Sequence, residues 1–185
     1  MAETIHGELL VRQFNQGDES AFDRIVEDYS ADIALLANRL LGWPGDVEDV
    51  TQDIFLAAYL GLKRFRCECS LKTWLFTITI NRCRSYRYRR LLRLKFFSQA
   101  VDKRSFARGR AADQAPMDSE TFERVRRAVA ALPAKYREPV VLKYLQELST
   151  DEISRILGIS ENALQARLTR ARKRLRQDLA DLTEH

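Results

Sequence analysis

Histidine is nearly missing from this chain: His6 and His185 are the only two among 185 residues. A metal centre or an acid–base catalyst built on imidazole has almost nothing to draw on. Cysteine is as scarce. Cys67, Cys69 and Cys83 are an odd number and too few to staple a domain, which argues against a disulfide framework. The single residue between Cys67 and Cys69 is also shorter than zinc sites use, so ordinary reduced thiols are the better reading than a site completed by Cys83 and His6. No glycine-rich phosphate loop is present and no nucleophile stands beside a base, so neither an enzyme, a cofactor nor a small-molecule substrate is expected. Apolar runs stay short of the roughly 18 residues of a membrane span. The first residues, "MAETIHGELL", lack a basic segment followed by an apolar one, which predicts a cytoplasmic protein without direct membrane insertion. With only seven glycines and four prolines, a turn-rich sheet architecture is disfavoured, while 45 % hydrophobic residues suffice for a folded, helical core.

Charge is distributed unevenly. Residues 1–62 hold twelve acids and three bases, residues 63–112 fifteen bases and two acids, and residues 113–185 thirteen bases and twelve acids. A net +5 therefore conceals an acidic part, a strongly basic part and a balanced one. The split predicts a polyanion as partner for the middle and a basic or polar surface as partner for the N-terminal part.

Periodicity organises the rest. In "ESAFDRIVEDYSADIALLANRLLG", Phe22, Ile25, Val26, Tyr29, Ile33, Leu36 and Leu40 recur at helical spacing, and Gly42 with Trp43-Pro44-Gly45 ends the helix. Asp46 is placed to cap a second helix whose stripe is Val47, Val50, Ile54 and Ala57/Ala58. Its opposite face carries Glu48, Asp49, Gln52 and Asp53. These four cannot serve DNA, so they are either solvated or a docking face for a protein partner. Ser70 can cap a third helix to about Leu92; "TITI" alternates like a strand, but some 20 residues without glycine or proline are too long for one. Residues 94–117 lose periodicity and read as a flexible basic linker. Beyond it, helices are predicted from Ser119 to Leu132 and from Pro133 or Ala134 to about Leu148, then two shorter pieces.

Those last pieces are the most specific local pattern. Ser149 and Glu152 fit a capping box, Ile153, Ile156 and Leu157 make a short apolar face, Gly158 fits a tight turn, and Ser160 can cap a helix carrying Leu164 and Leu168. This is helix-turn-helix spacing, in which the second helix enters the major groove; a plain helical hairpin is the blander alternative. Asn162, Gln165, Thr169 and Arg170 project away from the leucines, with Arg167, Arg172, Lys173, Arg174 and Arg176 as phosphate partners. The stretch "NRCRSYRYRR" at residues 81–90 raises a similar question. Its arginines surround the helix, unlike a membrane-surface helix, and no acid lies between Cys69 and Val101 to balance a solvated one. Arginine beside Trp74, Tyr86 and Tyr88 suits melted or single-stranded DNA.

In this order, "DVEDVTQDIFLAAY", "FRCECSLKTWLFTITINRCRSY" and the segment from "LPAKYREPVV" to "RARKRLR" resemble bacterial sigma factors of the extracytoplasmic-function group, in the sigma-70 family. The resemblance implies an all-α protein of two small helical domains: a region 2 bundle at 1–93, the linker at 94–117 and a region 4 helix-turn-helix domain at 118–185. It implies a transcription initiation factor that binds core RNA polymerase, directs it to promoter DNA and is held in check by an anti-sigma factor. A stand-alone helix-turn-helix regulator is the alternative. By the same resemblance Glu48, Asp49, Gln52 and Asp53 face core polymerase. Arg66, Cys67, Glu68, Cys69, Ser70, Lys72, Trp74, Thr77, Asn81, Arg84, Ser85 and Arg87 would open and read the −10 element. Ser160, Asn162, Ala163, Gln165, Ala166, Arg167, Thr169, Arg170 and Lys173 would read the −35 element. Three departures from the usual pattern bear on promoter sequence: Cys67 replaces a glycine and Cys69 a serine, Ser85 stands where an acid or amide is common, and Gln165 where a base often sits.

Overall fold

The structure, a computed structural model, describes residues 2–42, 46–97 and 118–180. Among these residues there are eight α-helices and no strand, the all-α class that the composition predicts. They are α1 (Ala2–Asn15), α2 (Ser20–Leu41), α3 (Val47–Leu62), α4 (Leu71–Phe97), α5 (Asp118–Ala131), α6 (Ala134–Val140), α7 (Thr150–Leu157) and α8 (Glu161–Asp178). Helix α1 was not anticipated from the sequence. It contributes Leu10, Val11 and Phe14 to the core, and Gly7 lets it lie directly against Leu71.

Helix α2 buries Ala21, Ile25, Tyr29, Ile33, Leu36, Ala37, Leu40 and Leu41, while Phe22 and Val26 flank the stripe half-buried. It ends at Gly42 in a left-handed conformation (φ 79°); the Trp43-Pro44-Gly45 stop lies outside the described residues. Asp46 does not cap α3 with its side chain, as its position suggested. Its carboxylate instead accepts a 2.6 Å bond from Arg90. Ser70 does cap α4, its Oγ accepting from the Thr73 amide at 3.1 Å. Helix α4 runs five residues past the expected end, and the remainder of the predicted linker, 98–117, is outside the described residues.

Helices α1–α4 form one bundle and α5–α8 a second, smaller one. The two share a continuous apolar core in this structure, with α7 packed on α4 and the end of α2 against Ala130 of α5. Between α6 and α7, Pro139 removes a backbone donor and the helix widens into a π-helical turn at Val141–Leu145, closed by the Gln146 amide donating to Val141 O at 3.0 Å.

Candidate nucleic-acid interfaces

The C-terminal pair α7 and α8 forms as its spacing requires. Ser149 and Glu152 make the full reciprocal cap: the Ser149 amide donates to Glu152 Oε2 at 2.9 Å, and the Glu152 amide donates to Ser149 Oγ at 3.2 Å. A 2.7 Å bond from Ser149 Oγ to Glu152 Oε2, seconded by the Ser149 amide, holds the Glu152 carboxyl below the usual carboxylate range. Gly158 takes the left-handed turn (φ 64°), and Ser160 Oγ accepts from the Ala163 amide at 3.3 Å to start α8. Leu164, Leu168 and Ala171 are buried against the domain. The opposite face presents Asn162, Gln165, Ala166, Thr169, Arg170 and Lys173 to solvent, with Ala163 and Arg167 at its edge. Arg174 sits over the Tyr136 ring at 5.0 Å, so its guanidinium also serves packing.

Helix α4 is different. Of its three candidate rings, Trp74 is stacked on Phe65 (centroids 4.9 Å apart) above Gly61, and Tyr86 is half-buried beside Asp46. Tyr88, 64 % exposed, is the ring left at the surface. It follows Asn81, Arg82 and Ser85 on the open face of the helix. The loop before α4 exposes Arg66, Cys67 and Glu68, with Cys69 and Ser70 half-buried. Cys67 is left-handed (φ 55°), which explains why a glycine is the usual residue there. Burial pushes all three thiols up, Cys83 to about 12, so none is poised as a thiolate at neutral pH. Thr77 Oγ1 donates to Thr73 O at 2.9 Å, inside its own helix.

Several cations of α4 do have acid partners, contrary to the count of local charges. Local counting sees only neighbours three or four residues away. Arg84 donates twice to Glu138 of α6, Nε to Oε1 at 2.8 Å and Nη2 to Oε2 at 2.6 Å, across 54 residues of sequence. Arg90 meets Asp46, Arg89 approaches Asp53 at 3.9 Å, and Lys72 meets Asp32 of α2 at 2.8 Å. Arg87 is a helix cap, its Nη1 donating to Leu40 O and Leu41 O at 3.1 and 3.0 Å. Burial lowers its pKa. Arg82 and Arg66 are exposed and form no ion pair with a described residue.

On α3, Glu48, Asp49, Gln52 and Asp53 all lie exposed, opposite buried Val50 and Ile54. The face continues into Leu56 and Leu60, 59 % and 69 % exposed. Sequence reading missed this apolar extension, although both leucines fall outside the buried stripe and so signalled it.

An acidic, partly apolar helix face, an arginine-rich helix and a capped helix-turn-helix on two helical domains are the parts expected of a DNA-directed transcription factor. Comparison with known proteins makes the class specific. Residues 25–92 match the Sigma-70 region 2 family, and residues 122–175 match the Sigma-70, region 4 family. The ECF RNA polymerase sigma factor SigW of Bacillus subtilis (strain 168) is 34 % identical over 184 residues, covering 93 % of this chain and 96 % of that protein. The ECF RNA polymerase sigma-E factor of Escherichia coli (strain K12) is 29 % identical over 180 residues, 94 % of each chain. Among solved structures, CnrH in complex with the cytosolic domain of CnrY superposes with a TM-score of 0.69 at 29 % identity, covering 96 % of this chain and 99 % of that one. RpoE in complex with the anti-sigma factor NepR from Bartonella quintana gives 0.67 at 22 % identity, over 86 % and 96 %, and supports the fold. The chain belongs to the extracytoplasmic-function group of sigma-70 factors, which are transcription initiation factors and not enzymes.

Proposed function

We propose that this protein binds core RNA polymerase and directs it to promoters whose −10 and −35 elements it reads with α4 and α8. The observation that carries this is the presence of three distinct surfaces in one chain. The α3 face of Glu48, Asp49, Gln52 and Asp53, extended by Leu56 and Leu60, suits a protein partner of mixed basic and apolar character. A stand-alone repressor has no use for it. The open face of α8 has the residue types of major-groove readout, with Gln165 able to bond adenine at two atoms and the arginines holding phosphates. On α4, Asn81 and Ser85 supply hydrogen bonds and Tyr88 an exposed ring for unstacked bases.

Unstacking a base costs a few kcal/mol, so opening without a nucleotide-driven motor depends on contacts made only with the parted strands. Exposed Asn81, Ser85 and Tyr88 and the Arg66–Ser70 loop are the candidates for these contacts, with Arg82 for sequence-independent grip. RpoE from Bartonella quintana is found with the anti-sigma factor NepR, and the same kind of control is proposed here, in the cytoplasm where polymerase works. No helix among the described residues is long and apolar enough to cross a membrane.

The α3 assignment is tested by Asp49→Lys with Asp53→Lys. Both positions are exposed and leave Val50 and Ile54 in place, so helicity should be unchanged while co-purification with core polymerase falls at least tenfold, on the order of 1.4 kcal/mol. Unchanged core binding by the folded variant would remove α3 from the docking surface.

A further inference from the structure

Three arginines gather where the two domains meet. Arg84 and Arg87 come from α4 and Arg137 from α6. Arg137 is 2 % exposed, and its Nη1 donates to Ala130 O at 3.2 Å and Leu132 O at 3.1 Å at the end of α5. Arg87 does the same for the end of α2. The C-terminal ends of two helices thus point at one region, each bringing a partial negative charge of about half a unit. Glu138, 3 % exposed, is the full negative charge beside them. Arg137 Nε has no hydrogen-bond partner among the described residues.

Glu138 reaches across from the second domain and takes Arg84 in a two-pronged bond. A phosphate has the same geometry for a guanidinium: two anionic oxygens on one centre. We propose that Glu138 is a built-in competitor of the DNA backbone, occupying the Arg84 guanidinium that a phosphate would take, so that the closed packing of the two domains and the full grip of α4 on DNA exclude one another. The inference rests on the assignment of α4 to promoter DNA. Further bonds run the same way. Arg39 of α2 donates to Leu145 O of the π-helical turn, and α7 lies on α4 with Glu152 near Lys72 and Arg155 near Cys69. Asn81, Arg82 and Ser85 stay exposed in the closed form. What closure withholds is phosphate grip, while the reading atoms remain accessible. A closed chain therefore touches DNA weakly, and the exchange of Glu138 for a phosphate frees the helix-turn-helix domain to move to its own element.

The test uses the full-length protein alone. Glu138→Gln keeps shape and removes the charge; Glu138→Ala removes the remaining hydrogen bonds as well; Arg84→Gln breaks the same pair from the other side. Small-angle scattering reads closure, circular dichroism checks the fold, and fluorescence anisotropy with a random-sequence single-stranded DNA oligonucleotide reads grip at one fixed salt concentration. The Glu138 variants should have a larger radius of gyration than the parent. If the closed form holds nine molecules in ten, they should also bind the oligonucleotide about tenfold tighter. Arg84→Gln should open equally and gain nothing in affinity. Glu138 variants that remain as compact as the parent would overturn the latch, even if Arg84→Gln weakens DNA binding and so upholds the α4 assignment. Variants that open but bind DNA no better would overturn the competition. If Arg84→Gln then also binds like the parent, the α4 assignment falls with it.

Discussion

Helices α4 and α8 are the two most arginine-rich elements of the chain, and they hold their charge in opposite ways. On α8 the polar face is open, and three buried residues, Leu164, Leu168 and Ala171, anchor the helix without using its reading side. On α4 the cations are largely engaged: Arg84 by Glu138, Arg87 by the end of α2, Arg90 by Asp46 and Lys72 by Asp32. A high arginine content therefore does not by itself mean readiness. On the DNA assignment proposed above, the α8 surface is formed before DNA arrives, whereas α4 would have to exchange protein partners for phosphates and bases.

The strongest way to break this contrast is to remove the buried centre on the α4 side. Burial lowers the Arg137 pKa to about 10, so it remains charged at neutral pH, with its hydrogen bonds aimed at Ala130 O and Leu132 O. Arg137→Ala leaves those carbonyls unpaired and strips Glu138 of a neighbouring charge. A loss of about 3 kcal/mol in urea unfolding is expected. No substitution confined to the open face of α8 should approach it.

On α8, Gln165→Ala should leave stability unchanged and relax base preference at one position of the −35 element, by about 1–3 kcal/mol in binding measured across a panel of single-base variants. A uniform loss over the whole panel would reassign Gln165 to backbone contact.

Two arginines five residues apart on α4 sharpen the comparison within a single helix. Arg82→Ala removes an exposed cation and should lower the salt slope of DNA binding by about one unit with no change in unfolding. Arg87→Ala should instead cost about 1–2 kcal/mol of stability, because Leu40 O and Leu41 O lose their donor. If both behave alike in urea, the capping role of Arg87 is wrong.

The smallest effect belongs to the loop before α4. Cys67 holds φ 55°, a conformation glycine adopts without penalty, so Cys67→Gly should stabilise by about 0.5–1 kcal/mol in thermal or urea unfolding. A destabilised variant would show that the thiol makes compensating contacts.

These effects also mark what the sequence could reveal. The α7–α8 turn was legible because every signal in it is local: a reciprocal cap over four residues, a glycine at the one left-handed position, and leucines one turn apart. The stripe of α2 was legible for the same reason. The pairing of Arg84 with Glu138 was not, since charge counting along a helix cannot see a carboxylate 54 positions away on another domain. Trp74 has the type and place of a base-stacking ring, but its face is already covered by Phe65, a packing no local pattern shows. Asp46 had the right type and place for a cap, yet an arginine from α4 reached it first. Helix α1 is weakly marked in the sequence because its buried apolar side chains, Leu10, Val11 and Phe14, span little more than one turn and the fourth buried position is a glycine, Gly7.

The central claim is that these surfaces together make an initiation factor, and in vitro transcription with purified core polymerase on fragments of the source genome tests it most directly. The account predicts transcripts from discrete start sites that core enzyme alone does not use, lost with Asp49→Lys and Asp53→Lys combined and shifted in promoter choice by Gln165→Ala. A folded, full-length protein that binds core polymerase yet yields no start site on any fragment would contradict it.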